Sequence, residues 1–382
     1  MSFEYSNKTR VHLEVTGKCN LQCKYCFNAG YSTNKNEISL HRLRDLIREC
    51  KEMGIKTFAF SGGEPFLYNN FLKILEEECK DCSVSILTNG TLISNEVIMQ
   101  LKHMPQVTEL LISLDGFKGH DSVRLNSKSK NIQSIIRRIR KKMPSMKIAI
   151  NTIISEANIN DVLDLYELLK KIGVSRWRID MPFYEGRYKK NFESLKYPTF
   201  EHIILVIRDL LIHYFSDSAP FELKILNVYN SKMFNSDITT SMRANLNAHP
   251  CDYTNWKTIS VKPNGDITFC PSLLIKMANI TKMPISSALL VASKHPFLNI
   301  KIKDLPCKNC RYLNICEGGC RADALYWNGS LLSNDPVSCS IFPLVEKYIW
   351  PILPSNQRKL FERSIIKEKQ SPAQFSTLKA PK

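Results

Sequence analysis

The sequence predicts an α/β protein: a partial (β/α)6 TIM-like barrel, followed by a cysteine-rich region of short strands and loops. Two observations carry this. Between residues 10 and 181, short apolar runs alternate with helical periodicity at a spacing of about 30 residues, the mark of parallel strands joined by right-handed crossovers. Seven of the 13 cysteines fall between Cys251 and Cys339, where apolar runs are sparse. In barrels of this kind the loops at the C-terminal strand ends carry the site.

The elements follow in order. Val11 to Val15 reads as a strand that ends near the first cysteines. Ser39 is placed to cap a helix whose Leu40, Leu43, Leu46, Ile47, Cys50 and Met53 recur at helical spacing, and Gly54 closes it. Ile55 to Phe60 is a short apolar strand leading into Ser61-Gly62-Gly63-Glu64-Pro65. Val84 to Leu87 leads into Thr88-Asn89-Gly90, and Leu110 to Leu114 into Asp115-Gly116. Ile148 to Ile154 and Trp177 to Met181 complete the six strands. The expected divisions are a barrel over 8–189, a helical bridge over 190–245 that includes the amphipathic Phe200 to Phe215, a cysteine-rich domain over 246–345, and a C-terminal helix with a basic tail over 346–382. The third division has little apolar core of its own, so metal–sulfur bonds are expected to hold it together.

With 43% hydrophobic and 23% charged residues, global disorder is excluded. No uninterrupted apolar run exceeds that of Ile203 to Ile207, which cannot span a bilayer. Met1 to Arg10 is polar and lacks a signal core, so a cytoplasmic location is expected, where thiols stay reduced and an odd cysteine count needs no disulfides. The formal charge of +17 fits an acidic partner. A nucleic-acid binder is disfavoured: no basic stretch is interleaved with aromatics.

Cys19, Cys23 and Cys26 form C-x3-C-x2-C in one loop after the first strand. Three close thiolates suit a tetrahedral zinc or an iron–sulfur cubane. Zinc needs a fourth ligand, and the nearest histidines, His12 and His41, lie on a strand and a helix. A cubane held by three thiolates leaves one iron open. In this loop, with Tyr25 as its aromatic, the chain resembles the radical S-adenosylmethionine (SAM) enzymes. Gly62-Gly63-Glu64-Pro65 matches that family's GGEP motif, Ser113-Leu114-Asp115-Gly116 looks like its ribose motif, and His120 to Arg124 resembles its H-D-x-x-R segment. The resemblance implies that Cys19, Cys23 and Cys26 hold the catalytic [4Fe–4S] cluster. It implies SAM contacts for Tyr25, Gly62, Gly63, Glu64, Pro65, Ser113 and Arg124, with Glu64 facing the ammonium and Arg124 the methionine carboxylate.

Cys251-x13-Gly265-x4-Cys270, then Cys307-x2-Cys310-x5-Cys316-x3-Cys320-x18-Cys339, is similar to the SPASM extension of those enzymes. The likeness implies two auxiliary [4Fe–4S] clusters, three in all. The outer one is held by Cys307, Cys310, Cys316 and Cys339, the inner one by Cys251, Cys270 and Cys320. The inner cluster's last iron is then open or bound by a non-cysteine ligand, with His249 and Asp252 adjacent in sequence. Asn264-Gly265-Asp266 is a hairpin turn that brings Cys251 towards Cys270. Cys50 reads as core, and Cys79 and Cys82 as structural.

The implied chemistry is reductive cleavage of SAM and hydrogen abstraction by a 5′-deoxyadenosyl radical, with cofactors carrying the chemistry and the protein supplying position. Arg178, Asp180, Tyr184 and Glu185, at the end of the sixth strand, are candidates to face the substrate. The leading expectation is a ribosomal precursor peptide receiving an intramolecular cross-link, of C–C cyclophane type or a thioether. The alternatives are a small molecule (a tetrapyrrole or amino sugar) or sulfatase-maturase-like oxidation. The last loses weight because Cys270 is followed by Pro271 rather than an acid. Expected partners are a flavodoxin- or ferredoxin-type electron donor and a separate leader-binding protein, since no leader-binding module precedes the first strand; neither a membrane nor a nucleic acid is expected.

Overall fold

A computed structural model describes residues 9–28, 36–225, 228–230, 257–365, 371–372 and 378–379. β1 (Arg10–Thr16) is followed by the two-residue β2 (Gln22–Cys23) and α1 (Leu40–Glu52). The Ser39 hydroxyl accepts from the Arg42 N–H and so caps α1. Then come β3 (Thr57–Gly62), α2 (Phe71–Glu78), β4 (Ser83–Thr88), α3 (Asn95–Lys102), β5 (Val107–Ser113), α4 (Lys118–Val123), β6 (Arg124–Leu125), α5 (Ser129–Lys142), β7 (Lys147–Ile153), α6 (Val162–Ile172) and β8 (Arg176–Asp180). The expected strands all form: β1, β4 and β5 are longer than their apolar runs, because ladder hydrogen bonds reach past the buried side chains, while β3, β7 and β8 keep the expected length and shift by one or two residues.

Beyond β8 lie α7 (Gly186–Leu195), α8 (Phe200–Ser216), β9 (Glu222–Ile225), β10 (Tyr229–Asn230), β11 (Thr258–Val261), β12 (Asp266–Thr268), β13 (Lys276–Asn279), α9 (Ile285–Ala292), α10 (Leu313–Cys316), α11 (Arg321–Asn328), α12 (Pro336–Tyr348) and α13 (Ser355–Ser364). Among the described residues no helix is long and apolar enough to cross a membrane.

One mixed sheet of eleven strands runs β10-β9-β8-β7-β5-β4-β3-β1-β11-β12-β13. The six expected strands occupy its centre in parallel, and β9 and β11 extend them in parallel at either end. Three expectations are corrected here. The bridge over 190–245 is not helical throughout, because Leu223 and Ile225 bury against the exposed edge of β8 and continue the sheet as β9. The cysteine-rich region does not stand apart from the barrel. Ile259, Val261, Ile267, Phe269 and Leu273 belong to the same buried core as β1 and β3, since β11 pairs with the free edge of β1. The boundary at 345 falls inside α12, which carries Cys339 on one side of it and continues to Tyr348.

Alternation along the strands sorts the side chains. Val11, Leu13 and Val15 point to the helices and are fully buried, while Arg10, His12, Glu14 and Thr16 point into the barrel.

Candidate functional site

The first cysteine loop leaves the C-terminal end of β1 and is held from both sides. On one side, Gly63 N–H donates to the Thr16 carbonyl (2.7 Å) and Glu64 N–H to the Lys18 carbonyl (2.8 Å). A Cβ on Gly63 would stand 2.2 Å from the Lys18 oxygen and 2.9 Å from Cys19 Cβ, so the loop passes only because this residue has no side chain. On the other side, β2 pairs antiparallel with β6 and sets Cys23 opposite Arg124. Gly186 closes the third side. A Cβ there would lie 2.5 Å from the Cys26 carbonyl oxygen, and the Arg187 N–H donates to that carbonyl at 2.9 Å.

Cys19, Cys23 and Cys26 are half-buried within this frame. Burial pushes the Cys26 thiol up to about 11, reinforced by Cys23, and burial also raises Cys19 and Cys23. Such thiols keep their protons until a cation replaces them, which is the behaviour of metal ligands in a low-dielectric site. Among the described residues no three His, Cys, Asp or Glu side chains are arranged to hold a single metal ion. An iron–sulfur cluster presents a separate iron to each thiolate and does not require such convergence. The donor set therefore fits a cluster. N–H groups already point at the sulfurs: Leu21 N–H at Cys19 Sγ (3.4 Å), Asn89 Nδ2 at the same sulfur (4.0 Å) and Arg124 Nη1 at Cys23 Sγ (3.9 Å).

Two buried carboxylates organise the surroundings. Glu64 is fully buried and accepts from Thr88 Oγ1 (2.7 Å), Asn89 N–H (2.8 Å) and Phe66 N–H (3.4 Å). Most of its accepting capacity thus ties the GGEP segment to the end of β4, rather than waiting for an ammonium group. Burial pushes its carboxyl up to about 7, against the pull of those hydrogen bonds. Pro65 opens the short 3-10 turn 65–67 behind it. Asp115 accepts from Arg124 Nε (2.6 Å) and Nη2 (3.2 Å), from Ile153 N–H (2.9 Å) and from the Tyr25 hydroxyl. Arg124 also lies over the Tyr25 ring at 5.3 Å. Its Nε edge is therefore engaged by Asp115, and its Nη1 end faces the cysteine loop. His120 is buried beside this pair, taking the Asp115 N–H on Nδ1 (3.2 Å) with Ser127 at Nε2 (3.0 Å). Burial lowers it to about 4, which keeps that nitrogen an acceptor. Ser113 ends β5 half-buried on the barrel-facing side.

The downstream cysteines fall into two places. Cys307, Cys310, Cys316 and Cys339 line one small pocket together with Asp335. Cys320 is the N-cap of α11, and its thiol is pushed well up by burial, with Asp323, Asp335 and Cys270 adding to the rise. Cys270 follows β12; Cys251, with His249 and Asp252, lies outside the described residues. The hairpin turn at Asn264-Gly265 forms as expected, with Asp266 opening β12.

Several site residues have roles that the sequence does not assign. Asp115 stands in the Ser113-Leu114-Asp115-Gly116 motif and Asn89 in the turn after β4, but neither was marked as the partner of Arg124 or Glu64. Lys262, fully buried, bonds Glu14 (2.6 Å) and the Pro271 carbonyl (2.7 Å), joining β1 to the segment after Cys270. Asp335 caps α12 and accepts the Cys320 N–H at 2.8 Å; its Asp-Pro pair was the available cue. Of the four residues expected near the substrate, Arg178 and Asp180 form an ion pair on the barrel-facing side. Tyr184 instead packs on Trp327 (ring centroids 4.4 Å) and Glu185 caps α7, because α7 and α11 need an aromatic seam between them. Cys50 and Cys79 are fully buried in the main core, with Cys82 at its margin.

Residues 13–194 match the family described as the Radical SAM superfamily. This is a radical SAM domain. That family binds a [4Fe–4S] cluster and SAM. A curated relative, the S-adenosylmethionine-dependent nucleotide dehydratase of Selenomonas ruminantium, is 27% identical over 180 residues, 44% of this chain and 64% of its own length. The chain thus spans under two thirds of that relative. Among solved structures, SuiB of Streptococcus suis bound to precursor peptide SuiA superposes with a TM-score of 0.64 at 18% identity, covering 85% of this chain and 74% of SuiB. The protein anSMEcpe with bound AdoMet and Kp18Cys peptide gives 0.68 at 17% identity, covering 93% and 98%. The fold is shared with both.

Proposed function

We propose that this radical SAM enzyme abstracts hydrogen from a ribosomal precursor peptide and forms an intramolecular cross-link, of C–C cyclophane type or a thioether. The observation that carries the reading is the cysteine-walled pocket of Cys307, Cys310, Cys316 and Cys339, together with Cys270 and Cys320, built onto the same sheet as the radical SAM domain. A cross-link removes two hydrogens, so the second electron needs an acceptor, and clusters held by these downstream cysteines would be suited to accept it. The similarity to SuiB and anSMEcpe, both solved with peptides, supports a peptide substrate.

Cys19, Cys23 and Cys26 would hold the catalytic cluster, which when bound with SAM supplies a 5′-deoxyadenosyl radical. The chain's own part is positional. Gly62 and Gly63 admit the loop, Tyr25 and Arg124 are fixed through Asp115, and Glu64 retains an acceptor position for the ammonium group. Ser113 and Pro65 line the same end of the barrel. Cys251 would join Cys270 and Cys320 on the inner auxiliary cluster, for three clusters in all. The proposed domains are a radical SAM barrel over 8–189 and a SPASM domain that begins near 246 and includes the whole of α12. A flavodoxin- or ferredoxin-type donor and a separate leader-binding protein are the proposed partners, and the charge of +17 favours acidic ones.

A small anionic substrate is the second reading, favoured by the similarity to a nucleotide dehydratase. Mass spectrometry of a short peptide encoded beside the gene, co-expressed anaerobically with the enzyme, separates the two. A loss of two hydrogens is expected; an unchanged peptide, with 5′-deoxyadenosine formed only when a nucleotide is added, overturns the first reading.

A further inference from the structure

The first cysteine loop and the segment after Cys270 meet at one buried ammonium. Lys262 directly follows β11, one residue past the pairing of Leu13 with Val261, which sets it beside Glu14 of β1. Its side chain is fully buried, and that of Glu14 is 3% exposed. Three acceptors surround the ammonium: Glu14 Oε1 (2.6 Å), the Pro271 carbonyl (2.7 Å) and Asn28 Oδ1 (3.5 Å). Asn28 Nδ2 donates in turn to Glu14 Oε2, so the three side chains close a ring. The ammonium also lies 6.0 Å from the centre of the Phe27 ring.

The two acceptors outside the ion pair belong to different cysteine segments. Asn28 is two residues past Cys26, and its backbone N–H bonds the Cys26 sulfur. Pro271 directly follows Cys270, whose sulfur accepts from the Leu273 N–H at 3.1 Å. One side chain therefore ties the backbone beside one cysteine group to the backbone beside the other. A buried ammonium cannot replace a lost acceptor with water, so a shift of either segment alone leaves its charge undersatisfied. Moving both segments together costs less, which makes the ring a physical link between the two sites.

We propose that the ring of Glu14, Lys262 and Asn28 couples the two cluster sites, so that filling either one strengthens cluster retention at the other. This rests on the reading that Cys19, Cys23 and Cys26 hold one cluster and that Cys251, Cys270 and Cys320 hold another. Lys262 and Asn28 act as positioning residues: they fix the backbone next to Cys26 and Cys270, and no electron or proton passes through them. Such coupling is reciprocal, and a change of about fivefold or more in one site's retention is the size expected of it. A second support of the Cys270 segment comes from α11, where the Tyr326 hydroxyl donates to the Ser272 carbonyl (2.6 Å) and accepts from the Leu274 N–H (3.3 Å). It serves as the control, because those bonds hold the same segment without Asn28.

The test uses the full-length protein, reconstituted anaerobically with iron and sulfide, reduced, and then exposed to an iron chelator. The first cluster is followed by the electron paramagnetic resonance signal that shifts when SAM is added and is missing from Cys23→Ala. Emptying the inner site with Cys270→Ala/Cys320→Ala should speed the loss of that signal about fivefold or more. The same emptying should leave the rate unchanged when made in Asn28→Ala or in Lys262→Met/Glu14→Leu. Asn28→Ala cuts only the tie to the first loop and keeps the Lys262–Glu14 pair, so it carries the test even where the double variant does not fold. In Tyr326→Phe the acceleration should persist. A merely structural role would speed the loss equally with the inner site filled or empty. An acceleration that survives in Asn28→Ala, that vanishes equally in Tyr326→Phe, or that is absent from the otherwise unaltered chain overturns the proposal. Failure of the underlying reading is seen separately, as a wild type without the SAM-sensitive signal or an unchanged iron content in Cys270→Ala/Cys320→Ala.

Discussion

Asp115→Asn is the sharpest perturbation of the site. The pair is deeply buried: the Asp115 side chain is 0% exposed and that of Arg124 7%. Asparagine keeps the shape and an oxygen for the Ile153 N–H, but removes the counter-charge. Arg124 cannot lose its proton near neutrality, so the variant buries an uncompensated cation. Removing one partner of such a pair costs about 3–5 kcal/mol. At about 2 °C per kcal/mol for a large chain, the midpoint should fall by about 6–10 °C. The assay is anaerobic thermal and urea unfolding of the wild type, Asp115→Asn, Arg124→Met and the double variant. Methionine removes the cation that needs compensation, so the double variant should be more stable than Asp115→Asn alone, with a coupling of about 2 kcal/mol or more. A single variant within about 1 kcal/mol of wild type, or strictly additive losses, would refute Asp115 as the counter-charge of Arg124.

Glu64→Gln tests burial against pH. The folded value of about 7 exceeds the ordinary 4.5, so the folded chain binds the extra proton and stability falls as pH rises through that window, then levels off. The difference between wild type and Glu64→Gln in urea unfolding should change by about 3 kcal/mol across it; a flat difference curve refutes the assignment. Lys262→Met leaves Glu14 buried and should cost about 3–5 kcal/mol, largely recovered in Lys262→Met/Glu14→Leu, as read from denaturant midpoints. Gly63→Ala forces a methyl 2.2 Å from the Lys18 oxygen; it should cost about 1–3 kcal/mol and lower the iron retained after reconstitution, and wild-type iron with wild-type stability would count against it. Cys310→Ala should remove about four irons per chain in colorimetric analysis, and an unchanged iron content would argue against a cluster in that pocket.

The strand and helix series was legible because each unit carries its own periodicity. Val11, Leu13 and Val15 alternate, and Leu43, Leu46, Ile47 and Cys50 recur on one helix face whatever lies beyond them. The cysteine loop and the GGEP segment were legible for a related reason, since their chemistry sits within a few consecutive residues. The sheet's two ends were not. Leu223 and Ile225 form a run too short to distinguish from a loop, and β11 is a strand only because the edge of β1 is available to it.

Local sequence thus determined the order of elements, the cysteine ligand candidates and the glycines that let the loop pass. Folding in three dimensions decided which charges meet. Lys262 finds Glu14 across 248 residues, Asp115 neutralises Arg124, and Arg176 finds Glu109 across 67 residues. Covalent proximity and hydrophobic period act over one turn or one strand and are written into neighbouring residues. The pairing of buried charges depends on strand register across the sheet, which exists only once the whole sheet has assembled.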